Sequence, residues 1–419
     1  MKILRIESLG SRGDGVANDG DGPIHVPFTA PGDLVELREL ADRRGGRRAE
    51  MVRLIEAGAG RARPPCRHFG QCGGCALQHL APDILAGFPA ARIATALGHH
   101  GLKDIRIEAA HKSPPGSRRR LALKALRTGK GVLLGFHARE SHRIVDLVEC
   151  LIARPALIAL IPALRRLLAT CLPERGTATV MMTETASGID LLLDLGQTPD
   201  LARREALADF AQAHDLAALH IRDSQGIEPV AVRRAAVMLF DDIAVDLPPG
   251  GFVQATAEGE AALVGAVREW SAHGRRAVDL FAGAGTFSLP LSLRMPTLAV
   301  EGARAPLAAL ETAARRHGLP PARLEVLHRD LFRRPLDDDE LKGFDIAVID
   351  PPRAGAAAQT AMLARSGIGT IIAISCNPNS FARDARLLID GGYRLEAIRP
   401  VDQFLYSAEV ELAALFRRP

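Results

Sequence analysis

The sequence predicts a multidomain α/β protein whose carboxy-terminal part is a doubly wound parallel sheet. From Gly250 onward, short β-branched apolar runs alternate with helical stretches. The first of those runs feeds a Gly-x-Gly turn, Gly283-Ala284-Gly285. Two later runs end in Asp350-Pro351-Pro352-Arg353 and in Ser375-Cys376-Asn377-Pro378, so a carboxylate and a thiol are expected at the carboxyl edge, where ligands bind in open α/β sheets.

Bulk properties narrow the class. At 419 residues, two or three domains are expected. A hydrophobic fraction of 47% with 24% charged residues fits a soluble globular protein. The start, MKILRIESLGSRGDG, lacks the apolar core of a signal peptide, and no run is long enough to span a membrane. Pro162 and Arg165-Arg166 interrupt the best candidate, 156–168. A cytoplasmic protein with no membrane partner is expected. Its six cysteines are then metal-binding, catalytic or buried rather than disulfide-bonded. Net charge is only +4, but basic residues cluster at Arg43-Arg44 with Arg47-Arg48, and at Arg118-Arg119-Arg120 with Lys124, Arg127 and Lys130. Such clusters suit a polyanion, although a charge run is more often a solvated face.

Taken in order, 1–57 reads as a small barrel. Lys2–Ile6 alternates polar and apolar, 10–22 is rich in turn residues, and Ile24–Phe28, Asp33–Leu37 and Arg47–Ile55 are strand-like. Five short strands would fit an OB-like barrel, a common oligonucleotide platform. Residues 58–80 are loop. Within 58–245, a central α+β domain, Arg118–Leu126 and Val132–His137 form a hairpin and Ala178–Leu195 a second one, while Pro155–Leu168 and Thr198–His214 are helical. In 246–419, Arg276–Phe281, Thr297–Glu301, Leu324–Asp330, Phe344–Asp350 and the run before Cys376 are strands; Pro306–His317 and Ser380–Ile389 are helices.

Several constellations carry chemistry. Gly283 and Gly285 let the backbone turn tightly and approach a ligand. Ser288 replaces the third glycine of the dinucleotide fingerprint, so a pyrophosphate is not strongly implied. Glu301, at the next strand end, suits a ribose diol, and Asp330 an adenine amino group. The set fits an adenosine cofactor, either a nicotinamide dinucleotide or S-adenosylmethionine. Cys66, Cys72 and Cys75, spaced C-x5-C-x2-C in a Gly/Pro-rich loop, can converge on an iron–sulfur cluster or structural zinc. The paired C-x2-C units common in zinc sites are lacking, which favours iron–sulfur. Cys150 is the first candidate for a fourth ligand and Cys171 the next, with His68 a further option. Cys376 is a nucleophile or a buried thiol; Glu409 and Glu411, two apart, share one strand face and either one is placed to accept a proton near it.

Together these residues resemble the RNA uridine-C5 methyltransferases, and especially the iron–sulfur 23S rRNA branch. The resemblance spans nearly the whole chain: an amino-terminal TRAM domain over 1–57, the cysteine loop, Gln254 in Gly251-Phe252-Val253-Gln254, the signature Asp279–Leu291, and the Asp-Pro-Pro-Arg and Ser-Cys-Asn-Pro motifs. It implies a Rossmann-like methyltransferase domain that uses S-adenosylmethionine. It further implies a [4Fe-4S] cluster on Cys66, Cys72, Cys75 and Cys150, with Cys376 as nucleophile and Glu411 as base. A cofactor pocket of Gln254, Phe281, Gly283, Gly285, Glu301, Asp330 and Asp350 follows, with RNA as partner (23S rRNA favoured, tRNA the alternative) and a monomeric state. A nicotinamide-dependent oxidoreductase is the more distant alternative. The chain departs from the family at Glu409, where histidine is usual, at Leu405 for proline, and at Ser117 for tyrosine.

Overall fold

A computed structural model describes residues 1–40 and 46–419; the basic pair Arg43-Arg44 lies outside the described residues. The amino-terminal unit is a six-stranded sheet, in the order Lys2–Arg5, Leu34–Leu40, Arg48–Glu56, Pro23–Val26, Gly15–Asn18, Ser8–Leu9. It closes over Ile6, Ile24, Val26, Val35 and Leu37, all essentially buried. The stretch 10–22, rich in turn residues, nonetheless holds the strand Gly15–Asn18. At Gly15 a Cβ would lie 2.0 Å from Thr29 Oγ1, so glycine here serves packing inside a strand.

The middle of the chain builds a seven-stranded sheet. Arg120–Thr128 pairs with Gly131–His137 and Thr177–Thr185 with Gly188–Asp194, both antiparallel as the hairpin pattern predicts. Helices Ile161–Cys171 and Leu201–Ala213 cover it. The helix expected over Pro155–Leu168 is broken at Leu160 into two pieces, because Pro162 cannot continue the first one.

The carboxy-terminal sheet has eight strands, ordered Leu324–His328, Thr297–Glu301, Ala277–Leu280, Ile346–Ile349, Thr370–Ser375, Glu411–Arg417, Arg394–Asp402, His111–Lys112. The first five are parallel, and their order reverses between Ala277–Leu280 and Ile346–Ile349, which opens a ligand crevice beyond their carboxyl ends. Glu411–Arg417 instead runs antiparallel to Thr370–Ser375, pairing Leu412 with Ser375. That reversal places the start of the last strand beside the end of the strand leading to Cys376. A parallel strand would put Glu411 at the opposite edge.

The helix Pro82–His99 was not evident from periodicity, because Pro89 and Gly98 interrupt it. Although it falls within 58–245, its Ile93 and Leu97 pack in one core with Phe381 and Ile398. His111–Lys112 then adds a short strand to the carboxy-terminal sheet.

Candidate active site

The two motif turns are built as one unit. Asn377 ends the strand Thr370–Ser375 and caps the helix Pro378–Asp390, its side chain accepting from Asn379 N at 3.1 Å. The same side chain donates to the Arg353 carbonyl at 3.0 Å, and Ser380 Oγ donates to it at 3.1 Å. Cys376 is thereby fixed against the Asp350–Arg353 turn, half-buried.

Glu411 is buried at 4% exposure, whereas Glu409 is at the surface, where Arg353 Nη2 donates to both its oxygens at 2.7 Å. The two-apart spacing had left either carboxylate open as the acceptor; depth and an ion pair now separate them. Glu411 Oε2 accepts from Gln403 Nε2 at 2.9 Å, and the same nitrogen donates to Gln254 Oε1 at 2.8 Å. Burial and the neighbouring Asp350 push the Glu411 carboxyl well up, with the Gln403 bond acting in the opposite direction. Asp350 is also raised, by burial and then by Asp279. Burial first, then Glu411 and Asp350, push the Cys376 thiol up to about 11, with Arg353 opposing. In the free protein this thiol is protonated at neutral pH.

Across the switch point, Phe281 adopts φ +66° and its ring centre lies 5.3 Å from that of Phe332, the two planes tilted by 53°. Gly283 donates from its N–H to Glu301 Oε2 at 2.9 Å, and a Cβ there would meet nothing within 4 Å. Gly285 differs from the expectation of close ligand approach. Its Cβ would sit 2.4 Å from Leu310 Cδ1, so its φ of +102° serves helix packing. Asp330 caps its own turn, accepting from Phe332 N at 2.9 Å, and remains exposed. Asp279 is fully buried, bound through Oδ2 to Ser288 Oγ, while Oδ1 has no partner. Burial pushes its carboxyl up to about 7.

Sequence reasoning assigned no role to Gln403, to Asp279 as a buried acid, or to the Arg353–Glu409 pair. Gln403 had no signal of its own, because its partner Gln254 lies 149 residues away in the chain.

Between Cys376 and the middle sheet lies a cleft of about 260 Å³, walled by Arg118, Phe136, Arg353, Phe404 and Glu409. The Arg118-Arg119-Arg120 part of the basic run beside it is not a solvated face. Arg119 is buried, ion-paired to Glu260 at 2.6 Å and donating to the Gln254 carbonyl at 3.0 Å. Arg118 lies 6.0 Å from the Phe404 ring centre and Arg120 5.7 Å from that of Phe252. Lys124 donates to Thr179. Arg47 is matched by Asp19 and Glu39, and Arg48 by Glu140.

Cys66, Cys72, Cys75 and Cys150 line one small cavity with His68 and Phe136. Among the described residues, no group of three or more His, Cys, Asp and Glu side chains is arranged to hold a metal ion as it stands. Cys171 lies elsewhere, buried in the middle core, and His68 Nε2 accepts from Val148 N at 3.2 Å. Burial pushes the Cys75 thiol up to about 12.

Sheet order and crevice are those of an S-adenosylmethionine-dependent methyltransferase. Over 99% of this chain and 100% of the other, the structure is similar to that of the Pyrococcus abyssi tRNA (uracil-54, C5)-methyltransferase, with a TM-score of 0.77 at 23% identity. The family described as tRNA (Uracil-5-)-methyltransferase matches residues 246–419. An uncharacterized RNA methyltransferase of Brucella suis is 41% identical over 99% of this chain and 97% of its own length. A 23S rRNA (uracil(1939)-C(5))-methyltransferase, RlmD, of Aeromonas hydrophila is 29% identical over 99% and 95%. The chain belongs to the RNA methyltransferase family of these relatives, and its residues 246–419 match the tRNA (Uracil-5-)-methyltransferase model.

Proposed function

We propose that the protein methylates C5 of a specific uridine in 23S rRNA through a covalent adduct on Cys376, and that Glu411 is the base. The observation that carries this reading is the antiparallel last strand, which brings Glu411 to the crevice of Cys376 and Asp350. C5 of uracil is a poor nucleophile. Addition of the Cys376 thiolate to C6 makes C5 reactive towards a methyl sulfonium. Glu411 then takes the C5 proton, the Cys376–C6 bond breaks, and the ring is restored. Glu409, held by Arg353 at the surface, is not the base. S-adenosylmethionine supplies the methyl group and a positive charge that favours the thiolate.

The pocket fits this cofactor. Gly283 faces open space, and Asp279 keeps an unpartnered oxygen at the strand end. Phe281 and Phe332 offer an aromatic shelf, Glu301 and Asp330 are acceptors for ribose and adenine, and Gln254 and Asp350 close the reacting end. The fingerprint lacks a third glycine, which disfavours a nicotinamide dinucleotide.

The four-cysteine cavity fits a [4Fe-4S] cluster by donor chemistry. The N–H of His68 points at Cys66 Sγ and that of Gly74 at Cys72 Sγ, each at 3.4 Å, the kind of support that cluster sulfurs receive. Cys66, Cys72, Cys75 and Cys150 would hold it, and the cluster would fix their loop. In this reading residues 1–57 form a TRAM barrel that binds RNA, 58–245 carry the cluster, 246–419 catalyse, and the protein acts in the cytoplasm as a monomer. The relative named for 23S rRNA is 29% identical along the whole chain against 23% for the structure named for tRNA, which supports the 23S target. Mapping 5-methyluridine in both RNAs from a deletion strain tests this. Loss from one 23S position is expected, and loss from tRNA alone would overturn it.

A further inference from the structure

We infer that Gln403 is the positioning residue for the Glu411 base and physically joins that base to the cofactor pocket. This rests on the proposed function, in which Glu411 removes the C5 proton and Gln254 lines the cofactor site.

The orientation of the Gln403 amide is fixed by its neighbours. The Ala255 N–H can only donate, and it lies 2.9 Å from Gln403 Oε1. The amide nitrogen must therefore face the other way, where it meets two oxygens, Glu411 Oε2 at 2.9 Å and Gln254 Oε1 at 2.8 Å. A flipped amide would set oxygen against both acceptors and nitrogen against a donor. Gln403 is 2% exposed, so removing its donor leaves a desolvated partner without its hydrogen bond. Its stem packs on the first turn of the helix Ala257–Trp270, where a Cβ on Gly259 would lie 2.8 Å from Gln403 Cβ. Two segments distant in the chain thus meet on one amide: the Gln254-Ala255 loop, which leads directly into this helix, and the last strand.

The chemistry needs such a group. Glu411 is buried beside Asp350, which disfavours the carboxylate that must accept the proton. The Gln403 N–H is the hydrogen-bond donor that reaches its oxygen. It also holds one carboxylate oxygen, leaving the other to face C5. Because the same nitrogen serves Gln254, displacement of Gln254 by a bound cofactor would be felt at the base. Gln403 borders the cleft at Cys376, and in this inference it acts through Glu411, on proton removal and not on methyl transfer.

The test compares Gln403→Met, similar in length and volume but without a donor, with Glu411→Gln and the wild type. All three are incubated with target RNA and S-adenosylmethionine labelled in the methyl group. Denaturing gels report labelled RNA still bound to protein, and calorimetry reports cofactor binding. Glu411→Gln is expected to trap the methylated adduct. Gln403→Met is expected to trap it in part, with product release slowed roughly 10- to 100-fold, the range for losing one hydrogen bond to a charged group. Gln403→Glu, a closer match in shape that brings a carboxylate against Glu411, should trap adduct at neutral pH as well and serves if the methionine variant does not fold. A folded Gln403 variant that releases product at the wild-type rate, while Glu411→Gln traps, overturns the inference alone. Absence of trapping in Glu411→Gln overturns the underlying reading of the site.

Discussion

Asp279 shows how the site trades stability for function. Its carboxyl is fully buried with one oxygen unpartnered, and its pKa is raised to about 7. A carboxyl raised in the folded state contributes stability that is present below its unfolded value near 4 and lost as pH rises through 7. The ligand-free protein should therefore lose stability between pH 4 and 7 from this group, with Asp350 and Glu411 acting in the same direction. Asp279→Asn can keep an acceptor for Ser288 and removes the charge. At pH 8 it should stabilise the ligand-free protein by roughly 1–2 kcal/mol, read from thermal melts, while weakening cofactor binding in calorimetry. No gain in melting temperature would mean that the buried charge is compensated. The thiol was legible from Ser-Cys-Asn-Pro because strand and turn are local. The burial of Asp279 was not, since a buried acid and a solvated one look alike in sequence.

At the scale of elements, the cofactor turn separates two glycines that the sequence had grouped. Gly283 faces open space, so Gly283→Ala should cost about 1 kcal/mol for its left-handed backbone while obstructing the cofactor. Gly285→Ala would press on Leu310 and Leu289, so it should lower stability by about 1–3 kcal/mol and affect binding only through that loss. Paired melts and calorimetry distinguish them; equal loss of binding in both, at unchanged stability, would contradict this division. Arg119 makes the same point for charge runs. It read as part of a basic patch, yet it is buried against Glu260, 141 residues away. Arg119→Met should cost about 3–5 kcal/mol by stranding that carboxylate, and a melting temperature unchanged from wild type would refute the burial argument. The strands of the carboxy-terminal sheet were legible because each is a short β-branched run between turn signals. The helix Pro82–His99 was not, because its place is set by packing on distant Phe381 and Ile398.

In the whole molecule, the cysteine loop touches the active site. The Ala76 and Leu77 N–H groups both donate to the Tyr406 carbonyl, at 2.8 and 2.9 Å, and Tyr406 holds φ +62° between Gln403 and Glu409. Gly74, Phe136 and Ile152 wall both the cysteine cavity and the cleft at Cys376. Disturbing the loop should therefore loosen the segment that precedes Glu411. Cys72→Ala is expected to speed amide hydrogen exchange over 403–409, and unchanged exchange there would show the two sites to be independent. The cysteine loop was legible from its spacing, but its contacts with Tyr406 and the cleft were not, since each joins residues far apart in the chain.

The central claim is that Cys376 bonds to a uridine whose C5 proton Glu411 removes. RNA carrying 5-fluorouridine at the target position tests it directly, because C5 then has no proton to lose and the adduct cannot resolve. Mass spectrometry of the protein after incubation with this RNA and S-adenosylmethionine should show a methylated nucleotide on the Cys376 peptide. A protein that methylates the natural RNA but forms no adduct with the fluorinated one, or forms it at another residue, would contradict the account.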